Sequence, residues 1–174
     1  MNHTLYPTLA SLLAPATLSH LTGHPISAVE CLPLHATYNK SGSRLQVVQT
    51  NQGQGPELVL KQVSAAWDWQ MRATQDHCGR AVQVWRAGLL DRLPPQLVHG
   101  ILACAQDEAG WAILMQNLAG AMLPFSPMSR ADLEISLEAM AAMHATFFEE
   151  PALTRPELGL CPLSQTYTLF APPT

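Results

Sequence analysis

The sequence predicts an α+β domain: an antiparallel sheet of about five strands with one packed helix, preceded by short amino-terminal helices. Three observations carry that prediction. Strand-like runs at Ala28–Ala36, Arg44–Thr50 and Glu57–Val63 are separated by the polar turn clusters Asn39–Ser43 and Asn51–Pro56, the layout of an antiparallel meander. Over residues 65–92 the pattern changes to helical spacing, with Cys78, Val82, Trp85 and Leu89 on one face at steps of four, three and four. Two more strand candidates, Gln96–Ala105 and Trp111–Gln116, follow across the polar turn Gln106–Gly110.

Taken in order, residues 6–21 read as one or two short helices, with Leu5, Leu9, Leu12 and Leu13 amphipathic and the turn Thr22-Gly23-His24-Pro25 as their close. No Lys, Arg, Asp or Glu precedes Glu30, so the basic start of a signal peptide is missing. In the central helical stretch Gly79 weakens the pattern, the firm part begins near Arg80, and Pro94-Pro95 stops it. The uncharged run Ala109–Ser129 is interrupted by Gln116, Asn117, Gly120 and Pro124, which argues for a strand and loop over a membrane span. The last helix opens on a capping box, Ser129 with Asp132, and Met128 and Leu133 are spaced as its hydrophobic staple. Leu133, Leu137, Met140, His144 and Phe147 then line one face, with His144 expected as a packed, hydrogen-bonded core residue. Asp132, Glu134 and Glu138 fall in the first half, where the helix dipole favours them. After Pro151 the pattern reads as loop.

Composition bounds the function. A chain of 174 residues with 48% hydrophobic and 13% charged side chains has enough apolar material for a core. A net charge of −4 supplies no basic field for nucleic acid. Cys31, Cys78, Cys104 and Cys161 form no C-x-x-C pair and are expected as buried free thiols. His20 and His24 flank a turn without a carboxylate or cysteine nearby, and neither H-E-x-x-H nor G-x-S-x-G occurs. The expectation is a cytoplasmic chain with neither nucleic acid nor membrane as partner.

Of the two lysines, Lys40 and Lys61, the second is unusual because it ends the apolar run Leu58-Val59-Leu60-Lys61. By simple alternation it points to solvent; turned inward, it needs an anionic partner. The run Arg86–Pro94, the segment Ala112-Ile113-Leu114-Met115-Gln116-Asn117-Leu118 and Ala142-Met143-His144-Ala145 within Leu137–Phe147 complete a recognisable layout. The chain resembles the aminoglycoside phosphotransferase and choline-kinase-like family, whose fold is protein-kinase-like, over most of residues 6–170.

That resemblance implies a kinase-like small lobe over 1–116, followed by the hinge and the first helix of a truncated large lobe over 117–174. It implies that Lys61 contacts the α- and β-phosphates of ATP. The turn holding Asn39, Ser41, Gly42 and Ser43 would lie over the phosphates, and backbone groups of Leu114, Met115 and Gln116 would meet the adenine edge. ATP and Mg2+ are the implied cofactors, and a small-molecule hydroxyl the acceptor. Departures from the family are equally specific. Ala81 stands where a glutamate pairs with the lysine, Asp76 lies five residues earlier and is expected off that face, and the hinge pair is Gln116-Asn117. No catalytic aspartate, following asparagine or metal-binding aspartate is recognisable after Phe148, so neither catalytic nor metal residues are assigned. His99-Gly100, expected within a strand, is followed by Ile101 and does not start an H-G-D element. The alternative is a non-catalytic kinase-like binding or regulatory module; an unrelated α+β domain would put Lys61 on the solvent face.

Overall fold

The computed structural model describes residues 3–34, 41–108, 110–121 and 127–170. Strands Val29–Pro33 (β1), Arg44–Thr50 (β2), Leu58–Val63 (β3), Ile101–Asp107 (β4) and Gly110–Gln116 (β5) form one antiparallel sheet in the order β1-β2-β3-β5-β4. The first three strands are the expected meander. The β4–β5 hairpin then docks its second strand on β3, which makes β5 a central strand bonded on both sides.

β4 begins at Ile101, later than the run from Gln96 suggests, and His99-Gly100 therefore precede the strand. The partner strand explains the difference. Ile101 lies opposite Met115 and the Gly100 carbonyl takes the Gln116 N–H at 2.8 Å; β5 ends there, so residues 97–99 have no strand to pair with, and Val98 is 85% exposed.

One face of the sheet packs Val48, Leu58, Leu60, Ala103, Ala105, Ala112 and Leu114 against Leu12, Leu18 and Ile26. The amino-terminal helices Leu9–Leu12 (α1) and Pro15–Thr22 (α2) supply that cover. α1 is held by a reciprocal Thr8–Ser11 cap, and α2 starts on Pro15 and ends at Gly23 with φ 71°, a left-handed stop that glycine adopts without penalty. Tyr6 extends the β4 edge, donating its N–H to the Cys104 carbonyl and accepting from Gln106, both at 2.9 Å.

The opposite face is covered over β4 and β5 by the helix Arg80–Arg86 (α4), through Val82 and Trp85 onto Cys104 and Ile113. Residues 65–92 are thus not one helix. A short helix Trp69–Ala73 (α3) precedes α4, and a 3-10 turn Leu89–Arg92 follows it. Gly79 and Gly88 make the breaks, with φ of 66° and 69°, and a side chain at Gly79 would lie 2.6 Å from the Trp111 indole. Cys78 consequently falls before α4.

The capping box of Ser129 with Asp132 starts helix Arg130–Phe147 (α5) as expected. Its docking differs from expectation. Phe147, near the carboxyl end, packs on a cluster of Leu89, Ala152 and Leu158, while Leu133, Ile135, Leu137 and Met140 stay exposed. His144 is exposed on the same helix and is not a core residue; a helix anchored mainly by its last turn leaves its amphipathic face open. The segment after Pro151 is also more ordered than a loop, with 3-10 turns Pro151–Thr154 and Pro156–Leu158 and a helix Leu163–Phe170 (α6). Arg92 pairs with Glu150 and ties this segment to the turn after α4; that guanidinium and the Ala152 N–H hold the Glu150 carboxyl down to about 2.

Gly110 opens β5 where the sheet is tightest: an added Cβ would sit 2.0 Å from the Val63 carbonyl oxygen and 2.8 Å from Ser64 Cβ. Backbone cannot step aside as a flexible side chain can. Gly110→Ala is therefore expected to cost about 1–3 kcal/mol or more, read as a lower urea midpoint at unchanged slope. A midpoint equal to that of the unsubstituted protein would contradict the close approach of β3 and β5.

Candidate functional site

Residues directly opposite on antiparallel strands share a face, so the register sorts the side chains on the α4 side. Leu32, Val47, Val59 and Met115 form one row across β1, β2, β3 and β5, continued by Ile101 on β4. The next row is Leu45, Lys61, Ile113 and Cys104. α4 covers the β4–β5 end of both rows, while Leu32 is 38% exposed and Leu45, Val47 and Val59 are only half-buried. What results, among the described residues, is a partly exposed apolar strip that runs across β1–β3 and ends beside a lysine.

Lys61 is half-buried on the helix side of the sheet and lines a cavity of about 610 Å³ between β3, α3 and α4. Ser41 lines the same cavity, as do Asp68, Asp76, Arg80 and Ala81. Of the expected binding residues, the structure thus brings Ser41 and Lys61 together. Gly42 and Ser43 belong to the same turn without lining the cavity. Trp69 donates its N–H to the Ser41 carbonyl at 3.0 Å, and Gly42 has φ 89° with its missing Cβ position 2.9 Å from the Trp67 carbonyl oxygen. Ser43 is buried, with its hydroxyl 2.9 Å from that of Ser41. Asn39 lies outside the described residues. Leu114 is buried on the far face, and Leu114, Met115 and Gln116 all sit in the ladder between β3 and β4. None of these three lines the cavity, although Met115 belongs to the apolar strip.

The expectation for Asp76 is corrected. It lines the cavity with Lys61 and Ala81 because Gly79 interrupts the helix, letting the carboxylate fold back to accept the Arg80 N–H at 2.9 and 3.1 Å. Arg80 itself donates to the Thr74 and Gly159 carbonyls. Asp68 is 3% exposed and caps α3. Lys61 makes no ion pair with any carboxylate among the described residues.

Trp67 lies under the Arg44 guanidinium, 4.1 Å from the ring centroid, while Trp69 is exposed. His3 Nε2 meets Asp91 at 2.7 Å and His99 approaches the same carboxylate at 3.6 Å; the hydrogen bond from His3 holds the Asp91 carboxyl below its ordinary range. The four cysteines are free, but only Cys104 is buried, and burial pushes its thiol up to about 12, where it is inert. Among the described residues no group of three His, Cys, Asp or Glu side chains is placed to hold a metal ion, and no helix is long and apolar enough to cross a membrane.

No family model, curated protein or solved structure matches the chain. The residues that sequence reasoning missed are Leu32, Val47 and Val59, together with Asp68. A signal for Val59 exists, since it lies two positions before Lys61 and must share its face. Leu32 and Val47 require knowledge of strand register, and Asp68 a knowledge of where α3 begins.

Proposed function

We propose that the chain is the nucleotide-binding part of a kinase-like, ATP-dependent small-molecule phosphotransferase that acts on a hydroxyl. The observation that carries this reading is the adjacency of the two rows: a partly exposed apolar strip of Leu32, Val47 and Val59 among the described residues, with Lys61 one row beyond it lining a cavity. A flat base suits the strip, and a polyphosphate suits the lysine. The sheet order, with the helical segment inserted between β3 and β4, agrees with a kinase-like small lobe.

In this reading the strip takes the adenine by apolar contact, Lys61 holds the phosphates by charge-assisted hydrogen bonds, and the Ser41–Ser43 turn closes over them. Magnesium, when bound, neutralises phosphate charge. The residues assigned here bind and orient; none is given the role of moving a proton from an acceptor. A second reading, a non-catalytic binding module, is favoured by Ala81 and by Lys61 having no carboxylate in contact among the described residues.

Calorimetric titration with Mg-ATP tests the lysine. Loss of charge-assisted hydrogen bonds worth about 1.5–3 kcal/mol should weaken binding of the Lys61→Met variant by roughly 10–100-fold. Equal affinity in the variant and the unsubstituted protein would remove Lys61 from the site. Binding of Mg-ATP without phosphate transfer to any hydroxyl acceptor supplied would favour the second reading.

A further inference from the structure

Val84, Leu90 and Leu160 line two cavities at once: that of Lys61 and a second one of about 560 Å³. The two differ in chemistry. Lys61, Arg80, Asp68 and Asp76 put charge around the first, whereas Met143, Phe147 and Leu153 help complete the second. Among the described residues, only His144 and Glu149 bring polar side chains to its lining, and both are exposed to water. Its walls are α4 and the turn after it on one side, the end of α5 and the segment that follows on the other. Three tethers hold these walls in place. Phe147 packs on Leu89, Ala152 and Leu158; Arg92 pairs with Glu150 and lies 5.6 Å from the Phe147 ring centroid; Arg80 donates to the Gly159 carbonyl. The gap is therefore pre-formed, and its volume falls in the range of small-molecule sites.

We propose that this cavity binds a small, uncharged apolar molecule. Water inside it meets few polar partners, and an apolar body that displaces such water gains affinity. A charged ligand would lose its hydration against walls that offer no buried counter-charge. Size argues against a protein occupant. A stable protein interface needs about 800 Å² from each partner, yet the cavity's rim carries Phe148 as its one large apolar side chain more than half exposed among the described residues. Leu133, Ile135, Leu137 and Met140, the exposed apolar residues of α5, do not line it. Nothing in this site requires a nucleotide at Lys61, so it stands or falls separately from the function proposed above.

The probe is N-phenyl-1-naphthylamine, an uncharged molecule whose fluorescence rises in apolar surroundings, titrated into the full chain. One saturable site is expected, from which 2-naphthol displaces the probe and 2-naphthoate does so about tenfold less well or worse. Met143→Trp fills the cavity and Leu153→Gln makes its wall polar; each should weaken the probe by about tenfold or more. Urea unfolding of both variants shows whether the fold is kept, and if Met143→Trp is not folded, Leu153→Gln decides. Ile135→Gln, on the exposed face of α5, should change affinity by less than about twofold. Binding without saturation, equal competition by the carboxylate, or undiminished binding by the folded cavity variants would each overturn the site. So would loss of binding in Ile135→Gln, which would move the probe to the helix face. A dimer in sedimentation that Met143→Trp dissociates would overturn it too, by making a second copy the occupant.

Discussion

Replacing Trp85 by alanine should destabilise the protein by about 3–5 kcal/mol, the range for deleting a fully buried aromatic side chain. Trp85 is 0% exposed, and its cluster with Val82, Cys104 and Ile113 is what joins α4 to the sheet. The helix has only seven residues, too few to persist without tertiary packing. The His3 ring meets the indole edge-on, with centroids 4.9 Å apart, so the amino-terminal segment is anchored on the same side chain. Trp85→Ala thus loosens the wall that bears Ala81 and Val82, and nucleotide affinity should fall with stability. Trp85→Phe separates the two effects. The indole N–H is buried without a partner, so phenylalanine removes an unsatisfied donor while keeping most of the apolar contact, and its cost should be well under half that of alanine. Urea unfolding measures both. An alanine variant destabilised by less than about 1 kcal/mol, the scale of a surface change, would mean that α4 is held by something other than this cluster.

The parts of this fold that sequence shows are those settled by local chemistry. β2 and β3 are legible from alternation and the intervening turns, the Gly23 stop from its place after a helical run, and the α5 cap from Ser129 and Asp132. The parts that stayed hidden depend on partners distant in the chain. β4 starts at Ile101 because β5 ends at Gln116, and no local pattern around Leu97 and Val98 reveals that. The exposure of His144 follows from α5 docking through Phe147, which its own amphipathic spacing does not disclose. At the site, Lys61 stands out as a cation ending an apolar run, yet its surroundings do not. Val47 and Met115 flank Val59 only through the β2–β3 and β3–β5 registers, and a slip of one residue would turn the row to the other face. Asp76 belongs with these: a spacing of five residues from Ala81 argues against a shared helix face, but Asp76 lies before α4, outside the helix, and reaches the same cavity.

Val59→Trp should weaken ATP binding by about 100-fold or more, equivalent to about 2.7 kcal/mol, while leaving tripolyphosphate affinity within about threefold. Val59 is half-buried and lies between Val47 and Met115 in the centre of the open strip. Tryptophan is well tolerated in strands, and Val59 is not part of the fully buried core, so the sheet should keep its stability. The indole instead occupies the ground where a base would lie. Lys61 lies one row further along, and in the proposed reading it would still reach phosphate. The two probes therefore pull apart only if base and phosphate occupy neighbouring rows. Equal losses for both would mean that the indole has disturbed Lys61 itself. Unchanged ATP affinity would take the base off the strip and leave a phosphate site alone. Tighter ATP binding would mean that the base stacks on the added indole, which takes Val59 itself out of the assigned contact surface while keeping the assignment of Lys61.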